Sequence, residues 1–212
     1  MPVETQITLD PRKTPVQARS TVTVEAIAEA TIQVLLSHGI DHLTTTRVAE
    51  RAGVSVGTLY QYYPNKQALL FAVLEAHLEK IATVLKQACE ESRGLPLDVM
   101  VKTVVEKFVD AKMERTDVSI ALYRVSAELG GVKLVKSVGE RSNRALETML
   151  ATAPEAHFED AKFVAKMLMA TMAGTTRAVL EAGASPGIVK KLREHLVLLC
   201  LSYLKSCNEH VA

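Results

Sequence analysis

Val56, Gly57, Tyr60 and Gln61 are spaced to share one edge of a short helix, and their types suit contact with a nucleic-acid duplex. Valine and tyrosine can touch a thymine methyl, and a glutamine amide can pair with adenine. Around them stand groups that suit phosphate: the hydroxyls of Thr45, Thr46, Thr58 and Tyr62, and the ammonium of Lys66. Arg47 can reach a base edge or a phosphate, and Ser55 stands where it can cap the helix that carries the set. On spacing alone, an αα-corner whose aromatic residues are merely packed stays open as an alternative.

Those side chains need a scaffold, and residues 43–70 (LTTTRVAERAGVSVGTLYQYYPNKQALL) supply one. Hydroxyls at Thr44, Thr45 and Thr46 predict a helix start, with Thr45 as the preferred N-cap. Val48, Ala49 and Ala52 recur at helical spacing. Gly53 predicts the left-handed stop, which glycine enters without steric cost. Leu59 and Tyr63, four apart, form the inward face of the second helix. Asn65 predicts a third start, with Lys66 in its first turn, where the positive end of a helix favours an anion. The pattern is that of a helix-turn-helix offering its second helix to a major groove.

The same string closely resembles the signature of the TetR (tetracycline-repressor-like) family of transcriptional regulators. The matching elements are Thr45-Thr46, Val48-Ala49, Ala52-Gly53-Val54-Ser55, Gly57-Thr58-Leu59-Tyr60, and Asn65-Lys66 leading to Leu69. Tyr63 stands where the family usually has phenylalanine, and Thr31 replaces the second alanine of its usual Ala-Ala pair. The resemblance covers roughly the first third of the chain. It implies double-stranded operator DNA as partner, a homodimer, and a small-molecule effector bound in the helical body.

Composition agrees with an all-α protein. The chain has 212 residues, 48% of them hydrophobic, but only 4% aromatic and no tryptophan, so the core must be aliphatic. That is enough for a small domain plus a larger one. Cys89, Cys200 and Cys207 have no CxxC spacing, which predicts reduced thiols in a cytoplasmic protein. The polar, proline-containing N-terminus reads as no secretory signal, and the apolar runs near Met167–Thr176 and Leu196–Leu204 are too short for a membrane span. His38 and His42 are four apart, but Gly39 between them and the lack of a third ligand argue against a metal. No catalytic, metal or cofactor motif is present. Net charge is +1, and acidic and basic residues balance within the first 66. Charge therefore does not favour DNA; position must.

Three regions follow: a disordered arm over 1–13, the helix-turn-helix domain over 14–66, and an effector-binding and dimerisation domain over 67–212. Thr14-Pro15-Val16-Gln17 reads as a capping box, starting a helix that carries Ile27, Thr31, Val34 and Leu35 inward until Gly39. Arg12, Lys13 and Arg19 can reach phosphates or a minor groove, or can form a solvated tail. Later helices are predicted over 68–92, 97–111, 116–129, 132–152, 155–182 and 188–206. The last two are apolar on most faces, which calls for cover on all sides. A four-helix interface between two subunits meets that need, with Phe163, Met167, Leu192, Leu196, Leu199 and Tyr203 as candidates. Burial within one bundle is the alternative.

Methionine adapts to irregular apolar shapes, which makes Met100, Met113, Met149, Met167 and Met172 candidate effector contacts, with Phe108, Tyr123 and Arg177 adding aromatic or polar specificity. Plain core or surface roles stay open for each. Taken with the resemblance, these features suggest a homodimeric repressor that an effector releases from a near-palindromic operator. Two other readings share the head: an effector-independent regulator or an activator, and a helical enzyme or interaction protein that carries it. Nothing in the body pairs an acid with a base at convincing spacing.

Overall fold

The computed structural model describes residues 18–209, which form helices joined by turns, with no strand among them. In chain order these are α1 (Ala18–His42), α2 (Thr45–Ala52), α3 (Val56–Tyr62), α4 (Lys66–Glu91), α5 (Leu97–Met113), α6 (Thr116–Glu128), α7 (Val132–Leu150), α8 (Ala161–Glu181) and α9 (Pro186–Glu209). The expected arm, with Arg12 and Lys13, and the capping box at Thr14 lie outside the described residues.

The helices gather into two compact units. One holds residues up to His77 together with Asp117–Val132; the other holds Leu78–Thr116 and the chain from Lys133 onward. This division differs from the expected boundary after residue 66, because α4 serves both units. Leu70, Val73 and Leu74 are buried in its first half, and Ile81, Leu85 and Ala88 in its second.

In the first unit α1 buries Ile27, Ala30, Thr31, Val34 and Leu35. Thr31 keeps its hydroxyl satisfied in that apolar setting by donating to the Ile27 carbonyl at 2.7 Å. Gly39, at φ 75° and ψ 171°, breaks the helix. Few residues other than glycine adopt that backbone. The first unit also joins α6 to α4, with Ser119 Oγ lying 3.2 Å from His77 Nε2.

The second unit packs α5, α8 and α9 against one another. Its core is aliphatic with methionine and two phenylalanines: Leu85, Met100, Phe108, Leu146, Met149, Phe158 and Leu168 are among its buried members. Cys89 and Cys200 are free and buried. Burial pushes their thiols up to about 12 and about 11, with Glu90 adding to the first. Such thiols are poor nucleophiles.

One element starts later than expected. The predicted helix from Glu155 begins instead at Ala161, where Asp160 caps the backbone N–H of Phe163 at 2.9 Å. Glu155 is drawn elsewhere: its carboxylate accepts from Leu97 N at the start of α5. Asn208 completes the tie, donating to Glu155 O and accepting from His157 N. These partners are 51 to 58 residues apart in the chain, so no local propensity signals them. No described helix is long and apolar enough to cross a membrane.

Candidate nucleic-acid interface

Two capped helices build the site. Thr44, not Thr45, caps α2: its backbone is extended (φ −125°, ψ 150°) and its side chain accepts from Arg47 N. Thr45 is already helical, and its hydroxyl lies 3.1 Å from the phenol of Tyr60. That contact joins the two helices and sets the Tyr60 ring. At the other end Gly53 takes the left-handed conformation (φ 68°, ψ 29°), and Val54 N reaches back to the Ala49 carbonyl at 3.0 Å. Ser55 then starts α3 by accepting from Thr58 N at 3.0 Å. Asn65 does the same for α4, accepting from Ala68 N at 2.7 Å.

The two faces of α3 separate cleanly. Leu59 and Tyr63 are buried, which raises the Tyr63 phenol above its ordinary pKa. Gly57, Tyr60 and Gln61 are exposed on the opposite side, with Val56, Thr58 and Tyr62 half-buried beside them. Tyr60 keeps 39% of its surface although it is a large aromatic residue. Thr46 and Arg47 are exposed nearby.

Two of the expected cations also serve the fold. Arg47 donates to the His42 carbonyl at 2.6 Å while staying exposed. Lys66 is half-buried and donates to the Ile40 carbonyl at 2.6 Å, which steadies the segment after the Gly39 break. One of its three ammonium protons is thereby used. Ser55 acts as a cap, and its hydroxyl also lies 2.8 Å from that of Thr58.

The body residues singled out by sequence do not all converge. Met100, Phe108, Met149 and Met172 meet in the buried cluster of the second unit. Met113 is half-buried and borders an open groove of about 400 Å³ whose other walls include Ala184, Pro186, Val189 and Arg193. Tyr123, by contrast, lies on α6 in the first unit. Met167 is on the outer side of α8, and Arg177 is exposed and paired with Glu181 at 2.8 Å. Sequence reasoning passed over Lys112 and Thr176, both buried in the second unit. The signal was present for Lys112, which continues the stripe Val101, Val105 and Phe108 at helical spacing.

The interface candidates divide as well. Phe163 and Leu199 keep 53% and 52% of their surface, and Met167 is exposed too. Leu192 and Leu196, by contrast, are buried in the core where α9 meets α5 and α8. Tyr203 is half-buried against the same core. Ile188 and Leu198 are exposed on α9 as well.

A capped helix pair of this geometry, with the polar and aromatic edge of its second helix turned outward, defines an all-helical helix-turn-helix protein. Residues 27–73 match the model of the bacterial regulatory proteins of the tetR family, and residues 96–204 match the tetracyclin repressor-like C-terminal domain. The chain therefore belongs to the TetR family of bacterial regulatory proteins. It is 44% identical over 54 residues to the class C tetracycline repressor protein of Escherichia coli, a match covering 26% of this chain and 25% of that protein. It is 42% identical over 55 residues to the transcriptional repressor KstR of Mycolicibacterium smegmatis, covering 26% and 27%. The chain thus spans about a quarter of the length of these two curated relatives. Among solved structures, a TetR-family transcriptional regulator from Mesorhizobium loti superposes with TM-score 0.76 at 14% identity, over 90% of this chain and 98% of that one. The fatty acid degradation regulator FadR of Bacillus halodurans superposes with TM-score 0.68 at 18% identity, over 87% and 96%. At such identities the likeness is one of fold.

Proposed function

We propose that the protein is a homodimeric transcriptional repressor that binds a near-palindromic operator and leaves it when a small-molecule effector occupies the body. The observation that carries this reading is the outer edge of α3. Gly57, Tyr60 and Gln61 are exposed there while Leu59 and Tyr63 hold the helix in place, so the edge is free to read bases. Thr45, Thr46, Arg47, Thr58, Tyr62 and Lys66 surround it and would hold the backbone, Lys66 with its remaining protons. The reading as a repressor draws on relatives that are named repressors.

Pairing is supported by the exposed apolar side chains of α8 and α9. Phe163, Met167, Ile188, Leu198 and Leu199 are about half exposed, and each would contribute about 1 kcal/mol if the remainder were covered. A two-fold dimer would set two copies of α3 about one DNA turn apart, roughly 34–36 Å. An effector that prefers another spacing of the heads would lower operator affinity by roughly 5–150-fold, the range of a coupling of about 1–3 kcal/mol.

The test is to select a duplex from a randomised library and measure affinity by fluorescence anisotropy. Tyr60→Ala should abolish discrimination between that duplex and a scrambled one, while helix content and sedimentation stay unchanged. Full retention of discrimination would refute the assignment of α3.

A further inference from the structure

We propose that Thr45 is a positioning residue for the reading edge: its hydroxyl holds the phenol of Tyr60, and it acts on sequence discrimination through that ring. The inference rests on the DNA reading above and moves Thr45 from the groups that hold the backbone to the support of Tyr60.

Three consecutive threonines open α2, and the structure gives them different tasks. Thr44 caps the helix by accepting from Arg47 N, and Thr46 stays exposed. Thr45 lies in the first turn, where the cap does not need its hydroxyl. That hydroxyl lies 3.1 Å from the phenol oxygen of Tyr60, on a different helix.

Tyr60 has few other supports. Its neighbour Leu59 is buried and fixes the helix, but Tyr60 stands on the outer face with 39% of its surface exposed. A helical tyrosine has two open χ1 wells, near 180° and −60°, and leans over the turn before its own Cα. In that turn stands Gly57, which has no side chain to steady a ring. A Cβ built at Gly57 meets Ser55 Oγ alone within 4 Å, so the Tyr60 ring does not rest there. It is drawn toward α2 instead, and the bond to Thr45 holds it at its far end. The ring becomes a strut between the two helices, with open room over Gly57 to swing into if released.

The effect on binding follows from populations. Only molecules with the ring in the binding orientation contribute to affinity for the operator. Releasing the phenol should lower that affinity by the net worth of one neutral hydrogen bond, roughly 2- to 10-fold. A nonspecific duplex is held by its phosphates and does not depend on the ring.

The experiment measures the affinity of full-length variants for the selected operator and for a scrambled duplex, with melting temperature read on the same preparations. Thr45→Val keeps the branched shape, and Tyr60→Phe keeps the ring. Each should weaken operator binding roughly 2- to 10-fold and leave the scrambled duplex unaffected. The double variant should bind no worse than either single one, because both remove the same bond. Thr45→Ser, which retains the hydroxyl, should keep the parental discrimination. Equal losses on both duplexes, or a Thr45→Val loss that persists undiminished beside Tyr60→Phe, would overturn the proposal in favour of a direct backbone contact. Lower melting with unchanged discrimination, or no change at all in Thr45→Val, would overturn it too. If Tyr60→Ala keeps full discrimination, the reading of α3 falls as well. If Tyr60→Ala loses discrimination and Thr45→Val does not, only the part given to Thr45 falls.

Discussion

Adding a single methyl group at Gly57 separates what this residue does for the fold from what it does for DNA. Gly57 lies in the first turn of α3, and a Cβ built there meets only Ser55 Oγ, at 3.7 Å, an ordinary contact. Its φ is not positive, so alanine fits the backbone without strain. Alanine is favoured over glycine in a helix by roughly 0.5–1 kcal/mol, and less near an end, so Gly57→Ala should stabilise the protein by about 0.5 kcal/mol. For a chain of this size that is a rise in melting temperature of about 1–2 °C. The duplex should respond in the opposite sense. If the edge of α3 lies against base pairs, the added methyl overpacks that contact, at a cost of about 1–3 kcal/mol. At about 1.4 kcal/mol per tenfold, operator affinity should fall roughly 5- to 150-fold. Thermal denaturation and fluorescence anisotropy on one preparation give both numbers. A variant that melts higher and binds the operator as well as the parent would refute close approach at Gly57. A variant that melts markedly lower would refute the open surroundings assigned to it.

Lys112 predicts a pH signature. In the folded protein its pKa lies at about 8 against an ordinary 10.5, so between those values the unfolded chain holds more protons and stability rises with pH. The cost of burying the ammonium, about 3 kcal/mol from that difference, is fully present below pH 8 and vanishes as pH rises through 10.5. Lys112→Met should therefore be the more stable protein in urea at pH 7, with the gain shrinking toward pH 10.5; parallel profiles would contradict the buried charge. Phe163→Glu combined with Leu199→Glu should yield a folded monomer by sedimentation, the association weakened at least about a hundredfold because a two-fold interface meets each change twice. An unaltered dimer would move the interface off this face.

The head was legible because its determinants are local. The hydroxyl caps, the turn glycine at Gly53 and the i, i+4 pair Leu59 and Tyr63 all act within a few residues of their partners. Even there one choice among neighbours went astray. Three consecutive threonines offer the same hydroxyl, and the contact of Thr45 with Tyr60, fifteen residues away, leaves Thr44 as the cap of α2.

In the body, helical spacing says which residues share a face but not what covers that face. α9 carries apolar residues on two stripes, and packing against α5 and α8 takes Leu192 and Leu196 into the core while leaving Leu198 and Leu199 outside. The same packing gathers Met100, Met149 and Met172, leaves Met167 on the surface, and closes over Lys112 and Thr176. The sequence by itself determined the helix-turn-helix, since a cap, a turn and an amphipathic edge are written within one short stretch. The tertiary structure alone decided which apolar stripes are spent inside the subunit and which polar groups are shut in with them. Those outcomes depend on helices that meet only after folding, many tens of residues apart.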